Sequence, residues 1–221
     1  MPLADFHRII ISTGLQAARA AGFRDVALGG GNALIVRAGS QRVTYDVDFF
    51  CRKPSDLPAI TTVVIEAIEA AGYRVERRQG PQSFWESDEE LVELTVSDGA
   101  TEAEVQIAHF FYAEDGDVPG LGPVLSIADI AGWKTTTVPN RMAERDFVDY
   151  ALLRKSFTTE RLFELAAERD PGLTSDDYAY AARHLDRVKD SDLGPYLAPG
   201  QSAADVRAAF ADWPRDAGED A

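Results

Sequence analysis

The sequence predicts a mixed α/β domain followed by an all-helical lobe, and three observations carry that reading. A short apolar strand, Asp25 to Leu28, runs into Gly29-Gly30-Gly31 and then into a helical stretch. Residues 43–51 (VTYDVDFFC) alternate polar and apolar side chains with the period of a strand. From Ser126 onward only helical patterns remain, broken at Pro139, Pro171, Pro195 and Pro199. The class is therefore α/β in the α+β sense, a mixed sheet with helices segregated after it. The change of character at Pro119-Gly120-Leu121-Gly122-Pro123 divides the chain into an α/β domain at 1–123 and a helical domain at 124–221.

Taken in order, residues 6–21 read as an amphipathic helix with Phe6, Ile9, Ile10, Ala17, Ala20 and Ala21 on its apolar stripe. A second helix covers about 32–38. The stretch from Asp56 to Ala71 is helical and stops at Gly72. Strands near 91–97 and 103–111 flank Asp98-Gly99, a strong hairpin signal. The tail from Asp212 is acidic and is expected to fray.

Composition narrows the function. With 221 residues, 45% apolar and 27% charged, the chain has the balance of an ordinary globular protein. No apolar run approaches the roughly 20 residues of a membrane span, so no membrane partner is expected. The N-terminus (MPLADFHRIII) carries an early acid and no small-residue cleavage site, so the expected location is cytoplasmic. Cys51 is the only cysteine, which excludes an intrachain disulfide and a cysteine metal cluster. A net charge of -15 argues against broad adhesion to nucleic acid or anionic membrane, but not against a local basic patch. Two clusters qualify: Arg74, Arg77 and Arg78, and Arg141, Arg145, Arg154 and Lys155. Each reads either as a solvated face or as a binding surface.

In the 43–51 strand, Val43, Tyr45, Val47 and Phe49 point one way, toward a helix layer. Thr44, Asp46 and Asp48 point the other way. The two aspartates then lie side by side, Cα atoms roughly 6.5–7 Å apart. Like charges so placed repel, and a divalent cation offsets the cost by taking oxygen ligands from both. The alternative is an edge strand with a solvated acidic face. The glycine run admits backbone N–H groups close to a phosphate, or is simply a tight turn. Its order, ahead of one short helix and the Asp-x-Asp strand, brings phosphate cradle and cation ligands onto adjacent elements.

In the helical half, Ser126 and Asp129 resemble a capping box, and Ile127, Ile130, Ala131 and Lys134 form one stripe. Lys134 either snorkels to water or points into a site. Asp146 and Asp149 lie one turn apart and, by spacing alone, pair at the surface with Arg145 or Lys155.

Together, GGGNALIVRAGSQRVTYDVDFF and SIADIAGWKTTTVPNRMAERDFVDYALL resemble the AbiEii toxins, including the mycobacterial MenT proteins. The pattern is a Gly-Gly pair, then Arg42-x-Thr44-x-Asp46-x-Asp48, then Lys134 and Arg145-Asp146-x-x-Asp149. FTTERLFELAAERDPG also resembles actinobacterial members. The resemblance implies a nucleotidyltransferase-type sheet and the transfer of a nucleoside monophosphate from an NTP, with Mg²⁺, to an acceptor. For MenT-type proteins that acceptor is the 3′ end of tRNA, which stops translation, and a cognate antitoxin is the implied protein partner.

Carried over, the resemblance makes Gly29 and Gly30 the phosphate-side turn and Asp46 and Asp48 the metal carboxylates. Thr44 stands where the family has a small hydroxyl residue. Arg42, Arg145 and Asp146 join the substrate-binding set, and Lys134 and Asp149 the catalytic set. Asp149 would orient Lys134 or Arg145, or contact base or ribose. One departure is Gln106, which stands where a later strand often supplies a third carboxylate; Glu104 lies on the same face. Two other readings stay open. One is transfer to a small hydroxyl compound such as an antibiotic; the other is a degenerate domain that binds without chemistry. His109 and Cys51 read as structural.

Overall fold

The computed structural model describes residues 3–78 and 91–215. The tail beyond 215 lies outside these residues. The chain forms two compact units. One contains the segment up to Arg37 together with Thr44–Ser126, and the other contains Ala38–Val43 and everything from Ile127. No described helix is long and apolar enough to cross a membrane.

The first unit is built from α1 (Asp5–Ala20), β1 (Val26–Leu28), α2 (Gly30–Ala38), β2 (Asp46–Cys51), α3 (Leu57–Ala70), β3 (Arg74–Arg77), β4 (Leu91–Ser97), β5 (Glu102–His109), β6 (Asp115–Val118) and β7 (Gly122–Leu125). The strands form one mixed sheet in the order β3-β4-β5-β2-β1-β7-β6. β2 runs parallel to β5 and β1 parallel to β7, while the remaining pairs are antiparallel. Helices α1 and α3 pack against each other and against the sheet. Val47, Phe49, Leu94, Val105 and Ile107 are fully buried, as are Ile10, Ile11, Leu57, Val64 and Ile68. That apolar layer supplies the hydrophobic stabilisation of the unit.

Several sequence expectations shift here. The buried face of α1 is His7, Ile10, Ile11, Gly14, Leu15 and Ala18. Ile9 is 42% exposed, so the stripe is rotated from the expected one. The reason is Gly14, where a Cβ would stand 2.9 Å from the Phe49 ring; a missing side chain sets the close approach. The strand expected over 43–51 begins only at Asp46, and Val43 and Tyr45 are 44% and 73% exposed rather than buried.

Three strands went unread. β3 carries Arg74 and Arg77 of the first basic cluster, and there Arg74 pairs with Glu76. It is a sheet edge, where charge discourages further pairing. The Gly/Pro-rich stretch around 119–123 reads as a break but turns between β6 and β7. Arg37 on α2 donates to the carbonyls of Leu125, Gly116 and Val124 at 3.1, 2.9 and 2.8 Å, satisfying backbone that the strands leave open. The Asp98-Gly99 hairpin forms as expected, with Gly99 at φ 90° and Asp98 Oδ1 accepting from the N–H groups of Ala100 and Thr101.

The second unit comprises α4 (Ile127–Arg141), α5 (Glu144–Leu153), α6 (Thr159–Ala167), α7 (Ser175–Leu185), α8 (Asp190–Leu193) and α9 (Ala203–Ala208). Pro139 does not break α4: it stands in the last turn, where losing the one bond to the carbonyl four residues back leaves the rest of the ladder intact. Gly132 lets α4 approach α6, since a Cβ would lie 2.7 Å from the Leu165 carbonyl oxygen. Asp129 is buried and accepts from Arg169 at 2.5 Å. Thr174 with Asp177 and Ser202 with Asp205 close capping boxes at the starts of α7 and α9. Tyr150, Phe163, Tyr178, Phe210 and Trp213 form a contiguous aromatic core. The chain therefore stays packed past Asp212, whose carboxylate accepts from Arg154 at 3.1 Å, instead of fraying there.

Candidate active site

Along β2, Asp46 and Asp48 share one half-buried face with Phe50, while Val47, Phe49 and Cys51 face the core. Burial pushes the Cys51 thiol up to about 11, consistent with a structural role. The glycine turn lies directly beside the second acid. The Gly29 N–H donates to the Asp48 carbonyl at 2.8 Å, and the Gly29 carbonyl accepts from Ala33 N–H, opening α2. Gly30 has φ 58°, and a Cβ on it would overlap the carboxylate oxygen Oδ2 of Asp48. A Cβ on Gly29 would overlap the Phe50 ring, which stacks on Phe110 with centroids 4.5 Å apart. The two glycines are therefore required by the acid and the aromatic ring they touch, apart from any ligand. Thr44 is half-buried just ahead of β2 in the same unit.

Where the resemblance implies a third carboxylate on a later strand, an amide stands beside Asp48. In register, Asp46 stands beside Glu104 and Asp48 beside Gln106. Gln106 Nε2 donates to Glu93 at 3.4 Å, and Glu104 accepts from Arg78 at 2.6 Å. Among the described residues no group of three or more His, Cys, Asp or Glu is arranged to hold a metal ion. A pair of carboxylates fits Mg²⁺ nonetheless, because that ion keeps several waters and takes further oxygens from substrate phosphates.

Sequence reading missed the support behind Asp46. Asn32, in the first turn of α2 and fully buried, donates from Nδ2 to the Asp46 carbonyl oxygen at 2.7 Å. The same nitrogen lies 3.4 Å from His7 Nδ1 on α1. Burial lowers the His7 imidazole from its ordinary value, against the raising effects of Asn32 and Asp46. The signal available in the sequence was a polar residue directly after Gly29-Gly30-Gly31 and ahead of the apolar run Ala33–Val36.

In the helical unit, Asp149 is 1% exposed and is the centre of an ion cluster. It accepts from Arg42 Nε at 2.6 Å and Nη2 at 2.9 Å, a two-pronged geometry, and from Lys134 Nζ at 2.8 Å. Burial opposes the charged carboxylate, but Lys134 and Arg42 prevail and hold it below the usual carboxylate range. Asp146, also buried, pairs with Arg141 at 2.9 and 2.5 Å. The expectation of surface acids beside Arg145 or Lys155 is thus corrected: both point inward, toward cations from α4 and from the 38–43 segment. Arg145 is half-buried in the first turn of α5. Lys134 does not snorkel to water; its ammonium is fixed by Asp149.

A mixed sheet with a glycine turn against an Asp-x-Asp strand, followed by helices, defines a nucleotidyltransferase fold. The family model for the nucleotidyl transferase AbiEii toxin of type IV toxin–antitoxin systems matches residues 14–212. The chain belongs to the AbiEii nucleotidyltransferase toxin family. No curated protein matches it by sequence.

Solved structures with the same fold include MenT4, a nucleotidyltransferase toxin from Mycobacterium tuberculosis, at 16% identity and TM-score 0.59, covering 97% of this chain and 85% of that one. JHP933 from Helicobacter pylori matches at 16% identity and TM-score 0.59, over 94% and 91% of the two chains. The antibiotic-resistance factor ANT(2'')-Ia matches at 15% identity and TM-score 0.50, over 84% and 100%.

Proposed function

We propose that the protein transfers a nucleoside monophosphate from an NTP to the 3′ end of tRNA in an Mg²⁺-dependent reaction, and so blocks translation. The observation that carries this reading is the packing of the glycine turn against the Asp46/Asp48 pair. Asp46 and Asp48 would hold Mg²⁺, which when bound neutralises charge on the phosphates and aligns the reacting oxygens. Gly29 and Gly30 form the phosphate-side turn, and α2 adds its N-terminal N–H groups. Lys134, fixed by Asp149, offers an immobilised ammonium to a phosphate oxygen. Thr44 and Arg145 complete the substrate-binding set, with Asp146 acting through Arg141 and Arg42 through Asp149.

In the reaction, an acceptor hydroxyl attacks the α-phosphorus, the bond to the β-phosphate bridging oxygen breaks, and pyrophosphate leaves. The hydroxyl proton leaves to solvent or to a carboxylate of the same face such as Glu104, because the neutral amide of Gln106 is not a base. Toxin–antitoxin membership implies a cognate antitoxin as partner, and the cytoplasm is the place where tRNA and NTP meet it. The test is incubation with each labelled NTP, Mg²⁺ and bulk tRNA. Label should appear on tRNA with the natural protein and not with Asp46→Asn; label of equal strength with both would reject the assignment.

A second reading has one observation in its favour. The open face beside Asp46 and Asp48 continues into Glu93 and Glu104, and the net charge is -15. Such a surface suits a small cationic hydroxyl compound better than a polyanion. Under that reading no labelled RNA forms, and label moves instead to an aminoglycoside-type acceptor.

A further inference from the structure

Asn32 is an expensive residue at its position. Its side chain is fully buried at the start of α2, yet its Oδ1 has no hydrogen-bond partner. Buried polar groups are kept paired unless another requirement overrides that. Its other end shows the requirement: Nδ2 donates at 2.7 Å to the carbonyl oxygen of Asp46. The amide orientation is chemically forced, because turning it over would set Oδ1 against that carbonyl oxygen, two acceptors at hydrogen-bond distance. His7, itself 6% exposed, presents Nδ1 to the same Nδ2. A neutral imidazole accepting at Nδ1 favours the orientation that serves Asp46.

Asp46 is the first residue of β2, and the segment ahead of it carries the exposed Val43 and Tyr45. No core side chain anchors the strand at that end until Val47. The backbone of Asp46 is instead tied to α2 by Asn32. Two residues on, Gly29 N–H ties the Asp48 carbonyl to the same turn. Both acids of the pair are thus fixed through their own main-chain oxygens by residues of one glycine bend, Gly29 and Asn32.

We propose that Asn32 is a positioning residue for the divalent cation, holding Asp46 beside Asp48 through its backbone, with His7 fixing the amide. This rests on the cation role assigned above to Asp46 and Asp48.

The experiment measures Mn²⁺ binding by electron paramagnetic resonance on the full chain, with and without NTP, alongside thermal unfolding. Asn32→Ala should weaken Mn²⁺ binding by about tenfold and raise the Mg²⁺ needed for half-maximal transfer by a similar factor, with KM for NTP at saturating Mg²⁺ little changed. His7→Gln, whose amide oxygen can accept as Nδ1 does, should retain most of the affinity, and His7→Leu should lose part of it. Should Asn32→Ala prove too unstable, Asn32→Leu, close to asparagine in volume, supplies the second variant. Its apolar side chain cannot donate to the Asp46 carbonyl and adds no charge, and it should show the same loss of cation affinity. Unchanged Mn²⁺ affinity in a folded Asn32 variant overturns the proposal while leaving the cation reading intact. Absence of Mn²⁺ binding by the natural protein overturns the cation reading itself.

Discussion

Asp48 and Gly30 compete for one volume: the carboxylate oxygen Oδ2 occupies the space that a Cβ on residue 30 would fill. Gly30 also holds φ 58°, a left-handed conformation. The acid and the glycine turn are therefore a single packed object, and neither can move without the other.

Gly30→Ala follows directly. The left-handed backbone costs an L-residue about 1–2 kcal/mol, and the new methyl must displace the Asp48 carboxylate. A displacement of that kind should lower transfer by about 100-fold, far beyond what the stability loss explains. Steady-state rates beside urea unfolding would check it; near-normal turnover would mean that Asp48 need not stand where the glycine leaves room.

Gln106→Asp restores a carboxylate beside Asp48 in the β2–β5 register. Adjacent strands lie roughly 4.8 Å apart, so without metal the added like charge should lower the unfolding temperature. With Mg²⁺ or Mn²⁺ the deficit should vanish and cation affinity should rise about tenfold. A thermal shift series with and without metal reads both effects. A variant equally destabilised in both conditions would place residue 106 outside the cation's reach.

Asp149→Asn removes the buried acceptor shared by Arg42 and Lys134. Arg42 and Lys134 would both lose the charge of this buried carboxylate. Breaking a buried pair by removing one partner costs about 3–5 kcal/mol, and chemical denaturation should show a loss of that order. Asp149→Asn with Lys134→Met should recover part of it, because the second change removes one stranded charge. A double variant no more stable than the single one would show that Lys134 is not stabilised by this carboxylate.

His7 gives the fold a dependence on mildly acidic pH. Burial holds its folded-state value below the ordinary 6.5, so below that pH the unfolded chain binds more protons than the folded one. This contribution to stability is present above about pH 6.5 and is lost as pH falls toward the lowered folded value. In His7→Gln the slope of unfolding free energy over that window should flatten, as urea titrations at several pH values would show. An unaltered slope would assign the titration elsewhere.

Much of the site was legible in the chain. The Asp46/Asp48 pair, the Gly29-Gly30 turn, the helical change after Ser126 and the β4–β5 hairpin follow from period, spacing and turn chemistry, which are local properties. The exposed Val43 and Tyr45, and the strands β3, β6 and β7, were not legible. Short strands rich in Arg, Gly or Pro are decided by the neighbours that pair with them, not by their own propensity.

The sequence by itself determined the order of the glycine turn, the Asp-x-Asp strand, the hairpin and the helical half, and the residue types for phosphate-transfer chemistry. Only the tertiary structure decided that Asp149 is a buried counter-ion for Arg42 and Lys134 rather than a surface acid. It alone placed Asn32 under Asp46, with Asp48 filling the space over Gly30. The physical reason is that burial and hydrogen-bond partnership are properties of contacts between distant residues. A 3.6- or 2-residue period reports which side of an element a residue takes, but not what stands opposite it.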